Sequence, residues 1–403
     1  MSDLHCTRRE LIAIGALTAV APAWAAPADE TSRLNAFFEH IFQRDLARNP
    51  AEQSAMGMKA GAAGWPDVTQ IHADENIALV RRDLAALKRF DRVALTPQAR
   101  LSYDLFAFDA GEAIERHRWR SNHYPVCQMR GPQRDVPQTL INNHPIAAVA
   151  DAEAYVQRLH AVRPYLAAVV AGLERQAEGG VVPPSFSVPL VIGNCEKLIA
   201  GAPFQPNAPD SPILADFRAK LRTLAIADAE KTRLVKAAEA GLLDGFGPGF
   251  RRLVDHLRAI RCGANCDDGV WRLPDGDAYY GAQLRWNTTL PVSPQDVHSI
   301  GLAETARLHG EMRVVLKRAG FAGTLPQAFD YVRTADLFYY PNTADGKAAY
   351  LGAMRARIAA VGARLGELTN HLPGAGVMVK PVEPWLEASA GTAGYFAPSA
   401  DGS

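Results

Sequence analysis

The sequence predicts a mainly α-helical protein, a large multi-helix single domain with a small β element near the C-terminus. Apolar residues recur every three or four positions through most of the chain, the period of a helix that buries one face. Helix-start signals recur as well, at Thr96-Pro97, Ser293-Pro294 and Thr324-Leu325-Pro326. In these a hydroxyl accepts from a free backbone N–H, and proline sits where its missing donor costs nothing. Only Val377–Val382 and Ala388–Ala397 read as extended.

The first segment is not part of that fold. Thr7-Arg8-Arg9-Glu10-Leu11-Ile12 is a twin-arginine pattern, followed by a modest apolar run to Ala21, Pro22 and the small-residue site Ala23-Trp24-Ala25. Residues 1–25 therefore read as a twin-arginine signal peptide with cleavage before Ala26. The run is too short to span a bilayer, which takes about 20 apolar residues. The expected location is periplasmic or secreted, with no membrane association after cleavage.

From Ser32 to Arg48, Phe37, Phe38, Ile41, Phe42 and Leu46 share a helical face, and Glu75–Phe90 repeats the pattern with Leu79, Leu84 and Leu87. Leu101, Leu105 and Phe108 form one stripe after the Thr96-Pro97 start. Asp151 caps a long helix through Tyr155, Leu159, Val162 and Leu173, with Pro164 expected to kink it. Asp228 opens another helix. Gly245-Phe246-Gly247-Pro248-Gly249 reads as a helix-breaking turn before Phe250–Ile260; it lacks the strand and the Lys-Ser or Lys-Thr that a phosphate-binding loop needs. Gly179–Pro189 and Gly201–Pro212 read as loops. Ser293-Pro294-Gln295-Asp296 is the strongest helix start, and Thr324 and Thr343 lead two further helices.

Composition narrows the function. The 43 basic and 43 acidic residues balance, and the leader removes two of each, so there is no electrostatic footprint for nucleic acid or for anionic lipid. With 48% apolar residues a large core is available. Four cysteines remain after cleavage: Cys127, Cys195, Cys262 and Cys266. Cys262 and Cys266 flank a short turn and form a possible disulfide in an oxidising compartment, although four cysteines allow three connectivities.

No helical zinc-peptidase motif, nucleophile elbow or deaminase motif occurs; His309-Gly310-Glu311 lacks the Pro-Cys-x-x-Cys partner that a deaminase requires. Glu304 and Glu311 share a helical face and read as a charged stripe rather than an acid–base pair. The block Asp268-Gly269-Val270-Trp271-Arg272-Leu273-Pro274-Asp275-Gly276-Asp277-Ala278-Tyr279-Tyr280 is the most distinctive. It reads as two turns and a helix start, with Trp271, Tyr279 and Tyr280 either lining a cleft or anchoring the loop, composition favouring the anchor.

That block resembles a signature of the bacterial DUF885 family. So do His298-Ser299-Ile300-Gly301-Leu302, Gly320-Phe321-Ala322-Gly323-Thr324-Leu325, Phe338-Tyr339-Tyr340 and the terminal Gly394–Ser403 segment, in one collinear order. The resemblance implies a helical, metallopeptidase-like protein that acts on peptides and uses zinc in its full-length members. Their zinc motif lies on a helix downstream of the segment that Tyr395, Pro398, Ser399, Asp401, Gly402 and Ser403 match. This sequence ends before that helix, so residues 26–403 are expected to form a DUF885-like domain incomplete at its C-terminus. No catalytic residue, zinc ligand or cofactor is carried over to this chain. Tyr395, Ser399 and Asp401 are the candidate substrate-binding residues. The expected partner class is peptides, with a non-catalytic peptide- or partner-binding module as the alternative.

Overall fold

A computed structural model describes residues 29–261, 269–370, 372, 374–384, 387, 393–395 and 397. The signal segment, Cys262, Cys266, Ser399 and Asp401 lie outside these residues. Among them the chain forms fourteen α-helices. In order these are α1 Glu30–Ala47, α2 Pro50–Ala55, α3 Gln70–Leu87, α4 Pro97–His117, α5 Pro132–Asn142, α6 Val149–Glu178, α7 Ser187–Leu198, α8 Pro212–Arg222, α9 Asp228–Gly241, α10 Gly247–Arg261, α11 Gly276–Thr288, α12 Pro294–Arg318, α13 Leu325–Thr334 and α14 Ala344–Gly362. The mainly α prediction holds. The small β element does not: Val377–Val382 forms no strand, and Val377 and Met378 are exposed. An extended segment becomes a strand only when a neighbour takes its N–H and C=O groups. Most of Ala388–Ala397 falls outside the described residues.

The described residues divide into two compact units, one running to Gly276 and including 394, 395 and 397, the other running from Asp277 to Ala393. In the first, α1, α3 and α4 close a core of Leu34, Ile41, Leu87, Leu95, Ala99, Phe106 and Ala110, edged by Phe37, Phe38 and Phe90. Thr69 and Thr96 cap α3 and α4 by accepting from His72 N–H and Ala99 N–H. The predicted stripe Leu101, Leu105 and Phe108 is exposed, and α4 instead buries Ala99, Ser102, Phe106 and Ala110. Phe106 lies among Phe37 and Phe38, with ring centroids 6.1 and 5.1 Å away, and the small residues of α4 share that buried face. Arg44 ties α1 to α3 with two bonds to the buried Asp83 carboxylate, 3.0 and 2.8 Å.

The long helix α6 is the axis of the rest of this unit. It buries Tyr155, Leu159, Val162, Leu166, Val170 and Leu173, each stabilising by about 1.5–3 kcal/mol relative to exposure. It runs through Pro164 without interruption. Asp151 acts one turn inside the start rather than as the cap residue, its carboxylate accepting from Ala147 N–H and Ala148 N–H at 3.0 Å each.

The expected helix-breaking turn at Gly245–Gly249 is not a break. Residues Leu242–Phe246 form a π-helical turn that joins α9 directly to α10, with Gly247 N–H donating to Leu242 C=O. A π turn absorbs one extra residue, and Pro248, which cannot donate to a helical carbonyl, is carried within the continuing helix. The glycines serve contact with α6. A Cβ on Gly241 would stand 3.0 Å from Leu159 Cβ, and one on Gly249 3.2 Å from Arg163 Cα. Small residues every fourth position let the two helix backbones approach closely.

The second unit contains α11–α14. Ser293 and Asp296 make the expected capping box on α12, and Thr324 and Gln327 make another on α13. Thr343 caps α14 by accepting from Gly346 N–H. α12 packs on α13, bringing the His309 and Phe329 rings to 6.4 Å. Little is buried here: none of the 25 residues of α12, only Leu325 and Ala328 of α13, and only Gly346 of α14.

Candidate functional site

Of the predicted substrate-binding residues only Tyr395 is described, and it is 78% exposed. Glu304 and Glu311 are both bound by Arg307, at 2.6 and 2.5 Å, as an exposed ion-paired stripe. Trp271 is 68% exposed, so it does not anchor its loop. That task falls to its neighbours. Leu273 is buried, and Arg272 donates to Tyr124 Oη and Val182 C=O.

Among the described residues a group of ionisable side chains gathers instead around Arg158 of α6, which is wholly buried. Its guanidinium donates to Gly61 C=O at 2.8 Å, Gly64 C=O at 3.1 Å, Ser54 Oγ at 2.9 Å and His144 Nδ1 at 3.2 Å. It lies 5.2 Å from the Trp65 ring, and Trp65 Nε1 donates back to Arg158 C=O at 3.0 Å. Burial pushes the Arg158 pKa down to about 10. Carbonyl partners and an aromatic face hold the cation in place of a carboxylate.

His144 completes one side. Its Nε2–H donates to Asp151 C=O at 2.9 Å while Nδ1 accepts from Arg158, an arrangement open only to the neutral ring. Burial is the main cause that pushes its pKa down to about 4. Asp151 receives both Lys59 bonds at 2.8 Å. Burial alone would raise its carboxyl, but Lys59 and the two backbone N–H groups hold it below the usual range. On the other side Tyr155 Oη donates to Asp216 at 3.3 Å, and Lys220 pairs with Asp216 at 2.8 Å. Lys220 also donates to Leu140 C=O and Ile141 C=O at 2.7 and 2.8 Å, capping the end of α5. Burial raises the Asp216 carboxyl and lowers the Lys220 ammonium.

This network is saturated. The opening beside Ser54, Lys59, Asn143, His144 and Asp151 measures about 20 Å³, room for one water. Its chemistry is that of a clamp holding the 57–65 loop, α5 and α8 on α6. Periodicity alone did not single it out, but a signal exists: Arg158 interrupts the apolar stripe of Tyr155, Leu159 and Val162.

A roomier opening, about 400 Å³, lies where α6 meets α10, lined by Arg163, Pro164, Ala167, Pro248, Gly249 and Arg252. It offers two guanidiniums and an apolar floor but no acid–base group. Among the described residues no three His, Cys, Asp or Glu side chains converge to hold a metal ion, so these residues do not fit the zinc that the family resemblance implies. No helix of the described residues is long and apolar enough to cross a membrane.

These features define a helical fold with a buried structural clamp and an opening of about 400 Å³ where α6 meets α10. The family described as "bacterial protein of unknown function (DUF885)" matches residues 50–403, and the chain belongs to it. A protein from Colwellia psychrerythraea described as a lipoprotein shares the fold with a TM-score of 0.82 at 18% identity, over 94% of this chain and 66% of that one. Another from Shewanella oneidensis, described as a lipoprotein of unknown function, gives a TM-score of 0.51 at 16% identity, over 81% of this chain and 52% of that one. This chain thus spans about two thirds and one half of their lengths. No curated protein matches it.

Proposed function

We propose that this chain is the helical body of an exported protein resembling a zinc metallopeptidase, supplying scaffold and peptide-binding surface but no hydrolytic centre of its own. The saturation of the Arg158 network supports this reading most. The ionisable groups that are buried together are committed to one another and to backbone carbonyls, and leave no donor or base facing an opening of substrate size. The twin-arginine pattern at Arg8-Arg9 supports export. The test is hydrolysis of a mixed peptide library by purified residues 26–403 with added zinc. The expected result is no cleavage, and chelator-sensitive cleavage would overturn the proposal.

The groove between α6 and α10 favours a second reading, a non-catalytic peptide-binding module. Arg163 and Arg252 beside an apolar floor suit a peptide carboxylate and its last side chain. In that case a library peptide with a free C-terminus binds, its amidated form binds more weakly, and Arg252→Ala removes the difference.

A further inference from the structure

The opening where α6 meets α10 follows from the way the two helices run. Gly241 lies against Leu159, Gly245 against His160 and Gly249 against Arg163, so the contacts advance together and the helices are parallel. About one turn beyond Gly249 and Arg163 stand Arg252 and Ala167. Gly249 has no side chain and Ala167 only a methyl, which leaves a gap of about 400 Å³ along the seam, lined also by Pro164 and Pro248. That volume falls within the range of small-ligand sites, about 300–1,000 Å³. Arg163 and Arg252, both exposed, complete the lining, and no Asp or Glu lies among these residues to neutralise them.

Two guanidiniums attract an oxyanion and can share a carboxylate through their N–H groups. The proline rings, the methyl and the glycine offer no side-chain donor or acceptor. A polar body entering there would give up hydrogen bonds to water without replacement, whereas an aliphatic one gives up none. From Arg163 to Ala167 the helix rises only about 6 Å, so the body is short. We propose that this opening binds a carboxylate carried on a short aliphatic body, with Arg163 and Arg252 sharing the carboxylate and Pro164, Ala167 and Pro248 covering the body. A peptide C-terminus and a free aliphatic acid both present that chemistry. The inference rests on the groove reading above and deepens it by naming the ligand class. His256, one turn past Arg252 on α10, supplies a reporter, its Nδ1 4.0 Å from Glu174 Oε1. Burial lowers its pKa, Glu174 opposes that, and Arg252 adds to it. A carboxylate seated on Arg252 therefore raises the His256 pKa.

The test titrates acetate, hexanoate, N-acetyl-leucine and inorganic phosphate into residues 26–403, with calorimetry for affinity and imidazole NMR for His256, assigned by its loss in His256→Gln. Hexanoate is expected to bind about tenfold or more tighter than acetate, because its added methylenes are buried, and to raise the His256 pKa. Arg163→Gln and Arg252→Gln each weaken hexanoate by about fivefold or more. Arg251→Gln removes the same charge from the residue that lies over Phe204, outside the opening, and leaves binding within about twofold. N-acetyl-leucine tighter than hexanoate makes a peptide end the natural source, and the reverse order makes it a free aliphatic acid; either supports the site. Acetate, phosphate and hexanoate binding alike would overturn the proposal, as would hexanoate binding insensitive to both opening arginines or a His256 titration that no probe moves. Hexanoate binding while no library peptide binds would instead defeat the peptide-binding reading and leave this site standing.

Discussion

Gly245 lies against the backbone of His160, so close that a Cβ would stand 2.5 Å from His160 Cα and 2.5 Å from Leu159 C=O oxygen. Both contacts are with backbone, which cannot turn aside as a side chain does. Gly245→Ala is therefore expected to force α10 away from α6 and destabilise the first unit by about 1–3 kcal/mol or more. Gly193 in α7 meets nothing within 4 Å, so Gly193→Ala should stabilise by up to about 1 kcal/mol through helix propensity. Urea midpoints of the two variants should move in opposite directions.

Arg158→Met removes the donor for Gly61 C=O, Gly64 C=O, Ser54 Oγ and His144 Nδ1 together. Buried acceptors left without partners predict a loss of about 3 kcal/mol or more. Amide exchange in the 57–65 loop should accelerate before that of α10. Arg158→Lys should recover only part of the loss, since one ammonium cannot span the positions that a guanidinium fork reaches.

Acid should weaken the first unit through His144. Its imidazole is neutral in the fold, with the pKa pushed down from 6.5 to about 4, whereas the unfolded chain takes up a proton near 6.5. Its contribution is complete above pH 6.5 and is lost as pH falls towards 4, about 3 kcal/mol in all. The raised Asp216 carboxyl acts with opposite sign, adding stability at low pH that disappears as pH rises. His144→Gln should flatten the slope of stability against pH in that window, measured by urea unfolding.

Thiol chemistry should separate the cysteines. Cys195 is buried, and burial pushes its thiol up to about 12, so it should resist alkylation until the chain unfolds. Cys127 is also a free thiol. Peptide mapping without reductant is expected to find one bridge, Cys262 to Cys266.

Much of the fold was legible because caps and period are local. Thr96, Ser293, Thr324 and Thr343 each cap the helix expected of them. Three misreadings have tertiary causes. The Gly245–Gly249 segment looks like a break, but its glycines make room for α6 and a π turn carries Pro248. The exposed Leu101 stripe of α4 shows that packing among Phe37, Phe38 and Phe106 chose the smaller face. Val377–Val382 found no partner to make it a strand. α7 and α8 begin inside the Gly179–Pro189 and Gly201–Pro212 segments that read as loops, because Pro189 and Pro212 stand in their first turns. The clamp escaped detection because Ser54, His144, Arg158 and Asp216 converge from distant positions, a grouping that spacing along the chain does not encode.

Calorimetric titration of zinc into metal-free residues 26–403 tests the central claim most directly, with amide exchange reporting where any metal acts. The scaffold account predicts no stoichiometric tight site and unchanged exchange around His144, Asp151 and Asp216. One zinc bound tightly per chain, with protection spreading from those residues, would contradict it.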